Sequence, residues 1–251
     1  MAALPDLSVQ LYSVREPLAD DFSGTLGRLA EIGLTQVEPF RLLANAENLA
    51  AHLSGHGLTA PTAHQSLGDG DLETIFQAAA DLGVGTVIHP FTPAESWQTR
   101  ADVQRIADML AVAAGIAAGY GVRVAYHNHD WELSTNIDGR TVLEVLDDVL
   151  DPAVVLELDT YWAGTGGQDV PSLLGRLGDR VVALHLKDGP FNGVIAEQLP
   201  LGQGELPAPE IIAAATALEF PVLEFDQYAG DIFEGIAASY AYATGTLGAS
   251  R

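Results

Sequence analysis

The stretch YHNHDWE, Tyr126 to Glu132, closes an apolar run with two histidines around an asparagine, then an aspartate and a glutamate. Only seven histidines occur in 251 residues. His127 and His129 lie two apart and would share one face of a strand. An imidazole pair so placed can hold a divalent ion or carry a proton near neutral pH. Similar endings recur downstream. Asp159 closes VVLELD, His185 and Lys187 close LHLKDG, and Glu224 and Asp226 close LEFDQ. Oxygen and imidazole donors from three successive segments suit Mn²⁺, Mg²⁺, Co²⁺ or Fe²⁺ better than a thiophilic ion. His127, from the segment before them, is a natural fourth ligand.

Such residues act together only if the elements carrying them converge. The chain repeats one unit, a short β-branched or aliphatic run followed by an Ala/Leu-rich segment of helical spacing. Strands are expected from Leu7, Thr35, Thr59, Gly85, Val122, Val154, Val181 and Pro221. Helices are expected at Ser23–Ile32, Leu43–Gly55, Leu72–Leu82, Ala101–Gly119, Gly139–Val149, Pro171–Leu177, Pro207–Leu218 and Ile232–Thr244. Eight such units predict an α/β fold, a (β/α)₈ TIM barrel, as one domain over residues 1–251. A doubly wound sheet is the competitor, but no Gly-x-Gly-x-x-Gly follows the first strand and no P-loop occurs. Polar residues end nearly all the strands, as a closed ring with its site at one mouth requires. That mouth would also gather Gln10, Tyr12, Arg15, Glu38, His64, His89 and Trp162 as substrate contacts. Taken singly these are weak signals: a lone histidine there usually packs, and a lone aspartate can cap the next helix. Glu157, two before Asp159, would bond a ligating histidine from below, or face outward if the register differs.

Composition narrows the partners. Eleven Lys and Arg against 34 Asp and Glu give a net charge of −23. Such a surface repels phosphate backbones and anionic headgroups, so neither nucleic acid nor membrane is expected as a partner. Absence of cysteine removes disulfides and thiolate ligands and fits a cytoplasmic protein. The start, MAALPDLSVQ, carries no signal-peptide pattern.

SVQLYSVR at Ser8, AYHNHDWEL at Ala125, LDTYWA at Leu158, LHLKDG at Leu184 and LEFDQ at Leu223 resemble the sugar phosphate isomerase/epimerase family, TIM barrels similar to xylose isomerase. The resemblance runs from the first strand to the last. It implies one divalent ion, Mn²⁺ first, with Mg²⁺, Co²⁺, Fe²⁺ or Zn²⁺ as substitutes. Asp159, His185 and Glu224 would take three of the family's four ligand positions. Where ketose epimerases carry the remaining Glu, this chain has His127 by strand position. Either His127 replaces it or Glu132 reaches in from the loop, and the fixed strand end favours His127. The resemblance also implies an isomerase or epimerase working through an enediolate on a sugar or sugar phosphate. His129 would be the base, with Glu224 opposite it and Arg15, Arg41 or Lys187 orienting an oxygen or phosphate. A lyase acting on a keto-sugar or keto-inositol is the alternative, and a non-catalytic sugar-binding barrel a third. Barrels of this kind are often dimers or tetramers. DNA-repair endonucleases share the barrel, but the charge argues against DNA.

Overall fold

Short runs rich in Val, Ile and Leu pack best as pleated strands buried on both faces. The computed structural model describes residues 4–248. It contains β1 (Ser8–Val9), β2 (Thr62–His64), β3 (Thr86–His89), β4 (Arg123–His127), β5 (Asn136–Ile137), β6 (Arg140–Thr141), β7 (Val154–Asp159), β8 (Val181–Leu186) and β9 (Phe220–Leu223). β5 and β6 form a small hairpin; the other seven form one parallel sheet in the order β1-β9-β8-β7-β4-β3-β2. The remaining stave is the run through Glu38, which bridges Gln10 on one side while Gln36 bridges Thr59 on the other. Glu38 N donates to Val9 O at 2.8 Å and Thr59 N to Thr35 O at 3.0 Å, carrying the ring across the seam. Pro39 has no N–H, so this stave stops short of a regular ladder. The result is the expected TIM barrel.

Helices cover the ring, and their starts follow the capping rules. Asp21, Asp71, Asp169 and Asp231 each accept a backbone N–H from the first turn that follows. Thr99 with Asp102, and Thr141 with Glu144, form reciprocal capping boxes. The helix expected from Gly139 begins at Val142, because Asp138 (φ 53°) and Gly139 (φ 80°) turn the hairpin instead. Among the described residues no helix is long and apolar enough to cross a membrane.

Register decides what meets at the mouth. His127 pairs with Glu157 and Asp159 with His185. The second pairing depends on a shift in β8: Leu156 opposes Val181, but Glu157 opposes Ala183, so Val182 is skipped. Without that bulge Asp159 would lie opposite Leu184. The irregularity re-aims side chains beside the mouth, where barrel bulges concentrate.

Candidate functional site

Three strand ends supply an arc of donors. Asp159 divides its carboxylate between two tasks: Oδ1 accepts the Trp162 N–H at 2.9 Å, capping the helix that follows, and Oδ2 turns inward. His185 Nδ1 lies 2.6 Å from Glu224 Oε2 and 3.9 Å from Asp159 Oδ2. His127 Nε2 lies 3.8 Å from the same Asp159 oxygen. Asp159 Oδ2, His185 Nδ1 and Glu224 Oε2 are buried and make no hydrogen bond of acceptable geometry. They gather within 4.8 Å of one another. Bonds of about 2.1 Å to one ion put neighbouring ligand atoms roughly 3–3.5 Å apart, within the spread seen here. Converging buried donors without hydrogen-bond partners fit a shared divalent cation.

A layer beneath orients the histidines. His127 Nδ1 is 3.0 Å from Glu157 Oε2, which leaves Nε2 facing the arc. His185 Nε2 is 2.7 Å from Glu38 Oε1, which leaves Nδ1 facing the arc. Each imidazole thus has a carboxylate behind it, the arrangement that fixes the tautomer of a ligating histidine. His64 Nε2 ties the two carboxylates together, 2.7 Å from Glu157 and 3.3 Å from Glu38. Gln10 donates to Glu38 at 2.9 Å. Gln10 and Glu38 are fully buried, so they reach the site through His185 rather than facing a substrate.

Charge is unusually concentrated here. Glu38, Glu157, Asp159 and Glu224 are all buried, with Lys187 as their one permanent cation. Lys187 Nζ sits 2.7 Å from Asp159 Oδ2, 2.7 Å from Glu224 Oε2 and 2.9 Å from Asp226 Oδ2. Burial pushes Asp159 up to about 6 despite Lys187. Burial also resists ionisation of Glu224, but Lys187 and His185 outweigh it and hold that carboxylate well below its usual range. His127 is driven down to about 3 by burial and is a neutral donor. Uncompensated buried carboxylates are costly, and a divalent ion held in the arc would offset that cost.

Above the arc lies a cavity of about 390 Å³ whose floor includes His64, His127, His129, Lys187, Glu224 and Asp226. Tyr12 and Phe40 form one wall, edge to face at 5.5 Å. His129 is stacked on Trp131 (centroids 4.5 Å apart, planes 4° apart) with Phe91 edge-on, and its Nδ1 has no hydrogen-bond partner. Burial, with His127 and Lys187 nearby, lowers it to about 2. Trp162 lies behind, its ring 5.8 Å from Lys187 Nζ. Arg15 lines a neighbouring groove and lies over the Tyr12 ring at 4.2 Å.

Two expected site residues do structural work. His89 Nδ1 accepts the Leu67 N–H at 3.0 Å, and burial lowers the ring to about 4, the behaviour of a packing histidine. His89→Leu leaves that buried N–H without an acceptor and should cost about 1–3 kcal/mol in urea unfolding while leaving metal content unchanged. Glu132 turns away from the arc: one oxygen accepts from Tyr126 Oη and the other from His129 N at 2.9 Å, fixing the turn. Burial raises this carboxyl to about 7. A folded value above the unfolded one means stability is greatest below about pH 4.5 and falls as pH rises through 7. Glu132→Gln removes this contribution, so its melting temperature should gain on wild type between about pH 5 and pH 8. A constant gap across that range would show that Glu132 stays ionised in the fold.

Asn128 was not picked out from sequence. Its amide brackets Asp159, accepting that residue's N–H at 2.9 Å and facing its carbonyl at 3.4 Å. Spacing alone gives no signal of this contact, since a residue between two inward histidines belongs to the opposite face. The chain leaves the strand after His127 and turns the amide to the Asp159 backbone. Asp188 organises the loop after β8, accepting N–H groups from Gly189, Gly202 and Leu206. Gly189 (φ 144°) is needed there, because a Cβ would come within 3.1 Å of the Glu197 carbonyl.

Comparison with solved structures places these features in a known frame. A sugar phosphate isomerase/epimerase from Parabacteroides distasonis is 22% identical, with a TM-score of 0.83 over 100% of this chain and 96% of that one. A probable 3-DHS dehydratase from Bacillus anthracis, AsbF, is 16% identical, with a TM-score of 0.74 over 95% and 98%. The IOLI protein, solved with a zinc atom bound, is 16% identical, with a TM-score of 0.73 over 96% and 97%. At these identities the likeness is one of fold. No curated protein matches the chain. The profile of one family covers residues 26–225, and on that match the chain belongs to the xylose isomerase-like TIM barrel family.

Proposed function

We propose that this chain, acting as a single barrel, is a metal-dependent isomerase or epimerase of a sugar or sugar derivative. The observation that carries the reading is the convergence of Asp159 Oδ2, His185 Nδ1 and Glu224 Oε2, buried within 4.8 Å of one another beside a cavity of about 390 Å³. Asp159, His185, Glu224 and His127 would hold the ion. When bound, it supplies Lewis-acid polarisation of a carbonyl and its neighbouring hydroxyl, acidifying the C–H between them.

The chain's own groups do the rest. Glu224 lines the cavity and is the carboxylate best placed to take the acidified proton and return it to the adjacent carbon, the isomerase outcome. Epimerisation requires a proton delivered to the opposite face of the same carbon, from a water molecule in the cavity. Lys187, 2.7 Å from Glu224, supports the charge that develops on oxygen. His129 has no carboxylate behind it and is caged by aromatic rings. We therefore assign it to hydrogen-bonding a substrate hydroxyl from the cavity lining rather than to proton transfer. Phe91 and Trp131, edge to face with centroids 5.5 Å apart, wall that side of the His129 ring.

A second reading has one observation in its favour. Acid and base adjoin on a single side in the Lys187–Glu224 pair, which also suits loss of a β-hydroxyl from a keto-sugar or keto-inositol. Incubation of Mn²⁺-loaded protein with ketoses, their phosphates and keto-inositols in D₂O tests both. Proton NMR should show deuterium entering beside the carbonyl. Retained hydroxyls indicate isomerisation or epimerisation, and a new vinylic proton indicates elimination. No exchange with any of them, in protein shown to hold metal, would sink both.

A further inference from the structure

With 34 acidic residues against 11 basic ones, a cation in this chain should find a carboxylate partner. Among the described residues every lysine and arginine does so except Arg15 and Arg41. Arg15 donates to Tyr12 O at 2.8 Å and covers the Tyr12 ring. The Arg41 guanidinium has neither a hydrogen bond nor an ion pair among the described residues, and it lines the cavity above the candidate metal ligands.

Its backbone is equally unusual. Arg41 has φ 49° and ψ 57°, one of only two non-glycine residues with positive φ among those described. The other, Asp138, sits in a hairpin turn, where such angles are routine. For arginine that conformation is held against its preference. Two side chains enforce it. Asn45 Nδ2 donates to Phe40 O at 2.7 Å, and Gln65 Oε1 accepts the Leu43 N–H at 3.1 Å. Gln65 and Ser66, beside it, also line the cavity.

We propose that Arg41 is an anion-recognition residue, so that the substrate carries a phosphate ester or a carboxylate at the end remote from the reacting carbonyl. The assignment rests on the cavity being the substrate site proposed above. The same cavity is also lined by two carboxylates, Glu224 and Asp226, which Lys187 bridges. A substrate with one anionic end is therefore oriented: that end is drawn to Arg41 rather than to the carboxylates, leaving the carbonyl end for the ion. A guanidinium binds either anion with two parallel N–H donors.

The test is calorimetric titration of the full-length protein as purified with inorganic phosphate and, separately, with acetate. Each titration is repeated after dialysis against a chelator, so that anion capture by a bound ion is recognised. Arg41→Gly removes the guanidinium while suiting the backbone angles, so it should fold at least as well as wild type. Wild type should bind one anion at least about tenfold more tightly than Arg41→Gly, with and without metal, and Arg41→Lys should fall between them. Preference for phosphate would point to a phosphate ester, and preference for acetate to a sugar acid. Failure of wild type to bind either anion, or equal binding by Arg41→Gly, would overturn the assignment. Because binding is read without turnover, the anion site and the proposed reaction fail independently. Exchange in D₂O with neutral ketoses and no anion binding would keep the reaction and discard Arg41.

Discussion

Asp159→Asn should abolish any stabilisation by the proposed divalent ion. An ion that binds only the folded state at a thousand times its Kd adds about 4 kcal/mol. In a chain of this size each kcal/mol moves the melting temperature by roughly 2–4 °C. Chelator-treated wild type should therefore melt about 8–16 °C higher once Mn²⁺, Co²⁺ or Zn²⁺ is returned at that excess. The substitution removes the ion pair between Asp159 Oδ2 and Lys187, but Lys187 keeps Glu224 and Asp226 as partners and Oδ1 can still cap the following helix. Asp159→Asn should accordingly fold yet show no metal-dependent shift. Glu157→Gln keeps every metal-facing atom but weakens the carboxylate behind His127, and should lower metal affinity about 10–100-fold. Glu132→Gln should retain the full shift, since its carboxylate faces Tyr126 and the His129 backbone. A full shift in Asp159→Asn would place the ion elsewhere. Loss of the shift in Glu132→Gln would bring Glu132 into the ligand set.

Lys187→Met should separate the metal-free and metal-loaded states further than any other single change. The ammonium is almost wholly buried and touches Asp159, Glu224 and Asp226. Removing one partner of a buried ion pair costs about 3–5 kcal/mol, because the remaining charge has no compensation. Here several carboxylates are abandoned at once, so the metal-free variant should melt at least about 6 °C below metal-free wild type. The divalent ion then becomes the only strong cation in the cluster, and its return should recover most of the loss. Melting curves with and without Mn²⁺ decide the point: equal destabilisation in both states would mean that Lys187 and the ion do not share the same carboxylates. Turnover should still fall in the metal-loaded variant, since no ammonium then supports developing oxygen charge.

The barrel and the polar groups at its mouth were legible from the linear chain for a simple reason. Apolar runs of strand length alternate with helical spacing, and each run ends in a group that has no place in a core. A ring is the arrangement that brings all those ends together. The separation of His127 from His129, and of Glu157 from Asp159, is two residues, so the pleat alone puts each pair on one face. Helical spacing likewise set the helix starts to within one residue, apart from the helix expected from Gly139.

What the chain could not disclose is how neighbouring strands slide against one another. The skipped Val182 in β8 sets Asp159 opposite His185, and no local propensity encodes that shift. Contacts between distant staves were equally hidden. Glu38 and Gln10 looked like substrate contacts because they end strands, yet the depth of the ring puts them under His185. Glu132 remained a rival to His127 until the turn after β4 bent its carboxylate back onto Tyr126. Lys187 could be read as a cation but not as the centre of three carboxylates. Residue type and spacing alone determined a barrel with a polar mouth and a donor set for a divalent ion. Register, depth and loop direction decided which donors meet, because the direction of a side chain on a closed sheet is set by the strands beside it.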